Sequence, residues 1–362
     1  MLNFPKFYSV ILVCWAVAGK GLMGGLFFLG LFVFFPLQAF ASPWVSPGDL
    51  LLRHDIQLLS DSGYLTSPSQ SWPLPWADLR DVAAYSGQAE SAGLEQALNR
   101  VRRRFRAASR LGLSQHGGAD LNIHPQVFRD FSASPRESGE AFSAIHWLGW
   151  RFASQLQVEM VSGPDDGQRV RFDDSWVAAT LGNWIVSFGA QDRWWGPGWD
   201  GSLILSTSAR PVPALSFQRK QALPFNWPLL SFLGPWRLEG FVGQLEGDRA
   251  VSHAKLLGLR LSFKPWSDLE VGLSRTAQWG GNGRPENFTS LVNLILGRDN
   301  RGDSGINVNN EPGNQLGGVD WRLHTRLISS LDLAFYGQIV GEDEANGLPS
   351  RPIGLAGLEH AG

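Results

Sequence analysis

The sequence predicts an all-β transmembrane antiparallel β-barrel preceded by a small α-helical N-terminal region. Three observations carry that prediction. The chain opens on a leader of export type, a helical period fills the residues up to about 112, and beyond them the apolar period falls from 3.6 to 2 in long segments.

In the leader, Lys6 and Lys20 flank apolar residues, and the run 21–35 contains no charge. Pro36 then leads into Ala39-Phe40-Ala41, a small-residue processing site where a stop-transfer flank would otherwise stand. Fifteen apolar residues are short for a bilayer span, so a signal peptide over 1–41, cleaved after Ala41, is expected; the competing reading is an uncleaved anchor made from both apolar runs. The single cysteine, Cys14, lies inside this leader, which excludes a disulfide scaffold or a thiolate metal site from the processed chain. Loss of Lys6 and Lys20, with no acid removed, takes the formal charge from -2 to -4, which argues against a general polyanion binder and against nucleic acid as a partner. No later segment approaches eighteen uninterrupted apolar residues, so helical spans are excluded.

Residues 42–112 read as a helical region. Ser46 can cap a helix with Pro47 in its first position and Asp49 against its dipole; Leu52, Ile56 and Leu59 then share one face until Gly63 ends it. After the WPLPW segment at 72–76, Leu94, Leu98, Val101, Phe105 and Leu111 mark a second amphipathic helix. Its other side carries Arg100, Arg103, Arg104 and Arg110, which predicts a solvated or cavity-facing surface and leaves open a contact with acidic sugars, lipid head groups or export machinery.

Residues 113–362 read as the barrel. Leu148, Trp150, Phe152, Leu156, Val158 and Met160 alternate with polar or small residues, as do Leu257, Leu259, Leu261 and Phe263, and Leu331, Leu333, Phe335 and Ile339 against Asp332, Tyr336, Gln338 and Glu342. Strands of soluble sandwiches usually stop near five or six residues, whereas roughly nine to eleven tilted residues cross a membrane. The segments 162–168, 280–287 and 297–318 are rich in turn formers and are expected to connect strands. Strands in lipid must close into a barrel, because hydrocarbon offers their backbone no hydrogen bonds.

The densest chemical signal is DRWWGPGW at 192–199, where indoles, a guanidinium and a carboxylate crowd a Gly-Pro-Gly hinge. Indole faces stack on apolar faces of pyranose rings, and Arg and Asp reach hydroxyls or carboxylates. The candidate carbohydrate-binding residues are therefore Arg193, Trp194, Trp195 and Trp199, assisted by Trp279 and Arg284 of the QWGGNGRP loop; the alternative is that they shape a lumen constriction or brace the rim.

Catalysis finds little support. Glu342, Asp343 and Glu344 are adjacent on one strand and point to alternate faces, unlike carboxylates placed across a glycosidic bond, and the hydrolase elbow and HExxH patterns are missing. GRDNRGDSG fails the calcium-loop pattern, and RGD at 301–303 is short enough to be accidental. No cofactor is expected. A porin-like or export channel shares every barrel feature and stays as an alternative.

Several stretches together resemble the Wzi capsule assembly family: RHDIQLLSDSGYL from Arg53, WPLPWADL from Trp72, NWIVSFGAQDRWWGPGW from Asn183, LILSTSARPVPALSFQR from Leu203, LGPW at 233–236, GLSRTAQWGGNGRP from Gly272, EPGNQLGGVDWR from Glu311 and YGQIVGEDEANGLPSR from Tyr336. They follow in order over nearly all of the chain after the leader. The resemblance implies an outer-membrane lectin that attaches capsular polysaccharide to the cell surface. Its barrel has eighteen strands in the family, with a helical bundle on the periplasmic side. The partners it implies are capsular polysaccharide and outer-membrane lipid, with export machinery a further candidate. One departure stands out: the sequence stops at Gly362, where the family continues with more strands, so about a dozen strands and a C-terminally truncated barrel are expected.

Overall fold

The structure, a computed structural model, describes residues 42–164, 166–296, 313–328, 331–345 and 348–360. The expected leader over 1–41, the RGD triplet and the calcium-loop lookalike lie outside the described residues.

The N-terminal region runs β1 (Trp44–Val45), α1 (Leu50–Asp61), β2 (Ser71–Trp72), β3 (Leu74–Pro75), a short 3-10 turn over Trp76–Leu79, α2 (Arg80–Ala84) and α3 (Ala92–Ala108). Asp49, not Ser46, caps α1: its carboxylate accepts from the Leu52 amide, which moves the start of the helix past Gly48. Ser91 caps α3 in the same way. Ile56 and Leu59 of α1 meet Leu98 and Val101 of α3 in one apolar core, where the 3.6-period of both helices is spent. The arginine side of α3 is partly engaged. Arg100 holds Asp55 through two hydrogen bonds of 2.7 and 2.6 Å, and Arg104 reaches Asp49 at 2.9 Å. Burial acts to raise the Asp55 carboxyl, but the Arg100 bonds and charge outweigh it and hold the group below its ordinary range.

The wall begins where the period changes. It comprises β4 (Gly112–Leu121), β5 (Gly139–Leu148), β6 (Phe152–Ser162), β7 (Val170–Arg171), β8 (Trp176–Leu181) and β9 (Trp184–Ala190). After the two-residue β10 (Trp194–Trp195), it continues through β11 (Pro213–Arg219), β12 (Trp236–Gln244), β13 (Lys255–Trp266) and β14 (Leu269–Trp279), then past helix α4 (Phe288–Ile295) to β15 (Gly313–Ile328), β16 (Leu331–Ala345) and β17 (Leu348–His360). Among the described residues, all are joined antiparallel in one thirteen-stranded sheet except the β1–β3 and β2–β10 pairs; twelve strands follow one another from β4 to β17, and β7 pairs with β6 off this path. This is the β-barrel wall the alternation predicted. Two details differ from the sequence reading. The alternation at 148–160 is interrupted by a turn at 149–151, so Leu148 ends β5 while Phe152 opens β6. The Gly/Asn-rich stretch is already strand from Gly313; at Gly318 a side chain would run into Val340 Cγ2 at 2.9 Å, so this glycine serves close packing rather than a turn.

The wall is inverted relative to a soluble protein. Leu156, Phe188, Leu215, Val242, Leu259, Leu273, Ile339 and Leu358 are exposed, while Gln157, Glu239, Arg260, Glu270, Asp320, Arg322 and Gln338 are buried. Register aligns the apolar residues across strands: Leu261 faces Leu273, Leu273 faces Val319, and Val319 faces Ile339 in one outward row. A belt of this kind is what a lipid-facing barrel presents.

The inner face is occupied. Arg322 of β15 grips Asp61 of α1 with bonds of 2.5 and 2.7 Å, and Lys264 of β13 donates to Ser60 Oγ at 2.9 Å. Glu270 of β14 accepts from the Ser69 and Gln70 amides at 2.8 Å, Arg237 of β12 pairs with Asp78, and Gln218 of β11 donates to the Pro73 carbonyl. On the other side Trp44 packs on Trp176 of β8. One compact segment thus touches strands from β8 to β15, which requires the sheet to curl around it. Apart from the Trp44–Trp176 pair, these contacts fall at strand ends near the connections 182–183, 220–235 and 267–268. The opposite edge carries the long connections 122–138, 191–212 and 280–312, whereas the turn-bearing edge has one long connection, 220–235, an asymmetry the sequence alone did not resolve.

Candidate functional site

The 191–212 connection folds inward, and the DRWWGPGW stretch meets the N-terminal region inside the lumen. β10 pairs antiparallel with β2, placing Trp194 opposite Trp72 and Trp195 opposite Ser71. Trp194 is 0% exposed; its ring meets Phe131 at 5.4 Å and its Nε1 donates to the Gly198 carbonyl at 3.1 Å. Trp195 is 1% exposed and packs with Phe241, Ile204 and Val340. Gly196 has φ 146°, and a side chain there would collide with the Gln338 amide, which itself donates to the Trp195 carbonyl at 2.9 Å. Trp199 donates to Glu359 of β17 at 2.6 Å. Arg53 of α1 lies 4.4 Å from the Trp199 ring and 4.2 Å from that of Phe131, and it donates to the Pro197 carbonyl at 2.6 Å. Burial lowers its guanidinium to about 9, against an opposing pull from Glu359.

The stretch is therefore a latch between the N-terminal region and a loop entering from the other end. Neither Trp194 nor Trp195 has an open ring face, so the expectation of exposed stacking platforms gives way at these two positions to the bracing alternative. The physical reason is that a Gly-Pro-Gly hinge turns a chain inward as readily as it builds a surface loop. Trp194→Ala is expected to cost about 3–5 kcal/mol, as for other buried large-to-small changes, measured by urea titration in detergent.

Arg193 lies beside the latch. It donates to the Gln191 carbonyl at 3.0 Å and to Ser216 Oγ at 2.7 Å, and it sits 4.2 Å from the Phe241 ring. It also lines a cavity of about 260 Å³ at the long-loop end, together with Asp192, Ser206, Arg249, Gln278 and Asn314 over an apolar floor of Ile204, Phe241 and Leu316. Polar groups around an apolar floor can hold a sugar by its hydroxyls and its ring face. Sequence reasoning missed Gln278 and Asn314; their signal was inward parity at strand ends. Arg210, also on this cavity, is held by Asp173 at 3.0 and 2.8 Å and by Asp166 at 2.8 Å. A second cavity of about 380 Å³ separates the N-terminal region from β4–β6 and is lined by Arg129, Arg136, Glu140, Gln157 and Asp174. Burial, then the neighbouring Asp192 carboxylate, pushes Asp174 up to about 7.

Trp279 and Arg284 are not part of either cavity. Trp279 alternates with the inward Gln278, so it points outward, and its Nε1 donates to Ser290 Oγ of α4 at 3.0 Å. Arg284 belongs to the following turn, where its amide donates to the Gly281 carbonyl. The six predicted residues thus split into a lumen group and an outer-rim group.

Comparison with known proteins decides the family. The family model described as capsule assembly protein Wzi matches residues 126–361. The chain belongs to the Wzi capsule assembly family. An uncharacterised 55.8 kDa protein in the cps region of Klebsiella pneumoniae is 35% identical over 339 residues, covering 91% of this chain and 64% of that relative. The solved structure of Wzi from Escherichia coli, described as an outer-membrane protein involved in group 1 capsule assembly and a carbohydrate-binding β-barrel, is 31% identical with a TM-score of 0.74. That match covers 87% of this chain and 67% of the solved one. The chain therefore spans about two thirds of the length of these two relatives.

Proposed function

We propose that this Wzi-family chain is an outer-membrane, non-catalytic lectin that binds capsular polysaccharide and attaches it to the cell surface. The observation that carries the reading is the inverted wall, apolar outside and charged inside, with a cavity of about 260 Å³ open among the long loops. The carbohydrate-binding solved relative supports the substrate class. Outer-membrane barrels have short periplasmic turns and longer external loops. On that rule the mouth cavity faces outside, and the helical region over 42–112 faces the periplasm, where export machinery can reach it. Exposed Trp147, Trp150 and Trp266 at the short-turn end fit an aromatic girdle at the inner interface. A signal peptide over 1–41, cleaved after Ala41, would deliver the chain there.

The latch and the N-terminal region fill the lumen between the two ends, which disfavours the open water path of a general porin. Arg193, Arg249, Gln278 and Asn314 would hold the polymer at the mouth, with Trp279 and Arg284 as contacts on the outer rim. The test is retention of purified acidic capsule. Neutral hydrogen bonds contribute about 0.5–1.5 kcal/mol each and charged ones more, so the triple variant Arg249→Ala, Gln278→Ala, Asn314→Ala is expected to weaken binding by about tenfold or more. Unchanged binding by this variant would remove the mouth from the site. A loss confined to Trp279→Ala, Arg284→Ala would move the site to the rim.

A further inference from the structure

Helix α4, in the 280–312 connection, is built the wrong way round for a helix in water. Asn287 caps it: its side chain accepts from the Ser290 amide at 2.9 Å, and its own amide donates to Ser290 Oγ at 3.1 Å. Ser290 and Leu294 are the buried positions and rest on the wall. The opposite arc is more apolar and faces away from the protein, with Phe288 80% and Ile295 58% exposed and Leu296 beside them.

The helix lies on the outside of the barrel. Its contacts are Trp279, Arg275 and Gln315, and all three sit on the outward face of β14 and β15, since they alternate with Gln278, Thr276 and Leu316 of the mouth cavity. Arg275 donates to the Leu294 and Ile295 carbonyls at 2.8 Å, and Gln315 Nε2 to the Leu294 carbonyl at 2.8 Å. A guanidinium on an otherwise apolar wall is thereby spent on the negative end of the helix. Two rungs below Arg275 the outward row continues as Leu273 and Val271, so the free face of α4 is continuous with the belt. Lys255 and Glu286, paired at 3.1 Å beside Trp279, form a polar margin above it.

We propose that α4 is an interfacial helix that seats Phe288, Val292 and Ile295 among the lipid acyl chains of the outer leaflet, a collar fixed to the barrel rim by Arg275. This rests on the lipid-facing reading of the wall, and the experiment separates the two. With Cys14→Ser as background, the full chain carrying Phe288→Cys, Ile295→Cys, Leu273→Cys on the belt or Asp248→Cys on an exposed loop is nitroxide-labelled. Each variant is then reconstituted in phosphatidylethanolamine/phosphatidylglycerol vesicles. Collisional access to oxygen and to a water-soluble nickel chelate is measured at each site. The expected result is that labels at 288 and 295 favour oxygen as the Leu273 label does, while the Asp248 label favours nickel. If 288 and 295 behave like Asp248 while Leu273 stays lipid-like, α4 is not a membrane collar and the wall reading stands. A nickel-accessible Leu273 label overturns both. Labels at 288 shielded from both reagents, with spin–spin broadening that grows with protein density, would assign the face to a second copy and overturn the lipid assignment.

Discussion

Arg322→Ala is expected to destabilise the folded chain by about 3–5 kcal/mol, the cost of leaving a buried partner charge uncompensated. Arg322 joins three parts of the molecule: it holds Asp61 of α1 with two bonds, it donates to Glu359 of β17 at 2.9 Å, and Glu359 in turn accepts from Trp199 of the latch. Removing the guanidinium strands two carboxylates in the lumen. The N-terminal region should then loosen first, because Asp61 is the anchor at the end of α1, and limited proteolysis in detergent should cut near residues 61–70 before the wall is attacked. Arg322→Lys keeps the charge but not the planar fork, so its loss should lie between wild type and Ala. A urea midpoint for Arg322→Ala equal to that of the parent would mean that the N-terminal region is not held by this hub.

How much of this was legible beforehand depended on the kind of signal. The two helices and the wall were readable because each buries one face at its own period: Ile56, Leu59, Leu98 and Val101 at 3.6, and Leu257 to Phe263 at 2. The turn at 149–151 was hidden because Leu148, Trp150 and Phe152 keep the parity of a strand across it. The strand over 313–318 was hidden because its glycines are turn formers by composition and packing residues by position. For the candidate site, composition singled out the 192–199 segment but not its surroundings. The indoles of 194 and 195 are large and amphipathic wherever they sit, and only the long-range pairing of β10 with β2, across more than a hundred residues, fixes them in the lumen. The same holds for Glu270 and Lys264, whose partners in the N-terminal region no local pattern announces.

The central claim is that the outward row of the wall faces lipid. Ile339, 44% exposed, stands at the β16 end of that row beside Val319, with glycines as its same-face neighbours along β16. In water, a charge at such an exposed site changes stability by no more than about 0.5 kcal/mol; at the midplane of a bilayer an arginine on the lipid face of a barrel costs about 2–4 kcal/mol. Reversible urea unfolding of Ile339→Arg in phospholipid vesicles, set against the parent chain, is therefore decisive. The account predicts a loss of about 2–4 kcal/mol; a variant as stable as the parent, within about 0.5 kcal/mol, would contradict it.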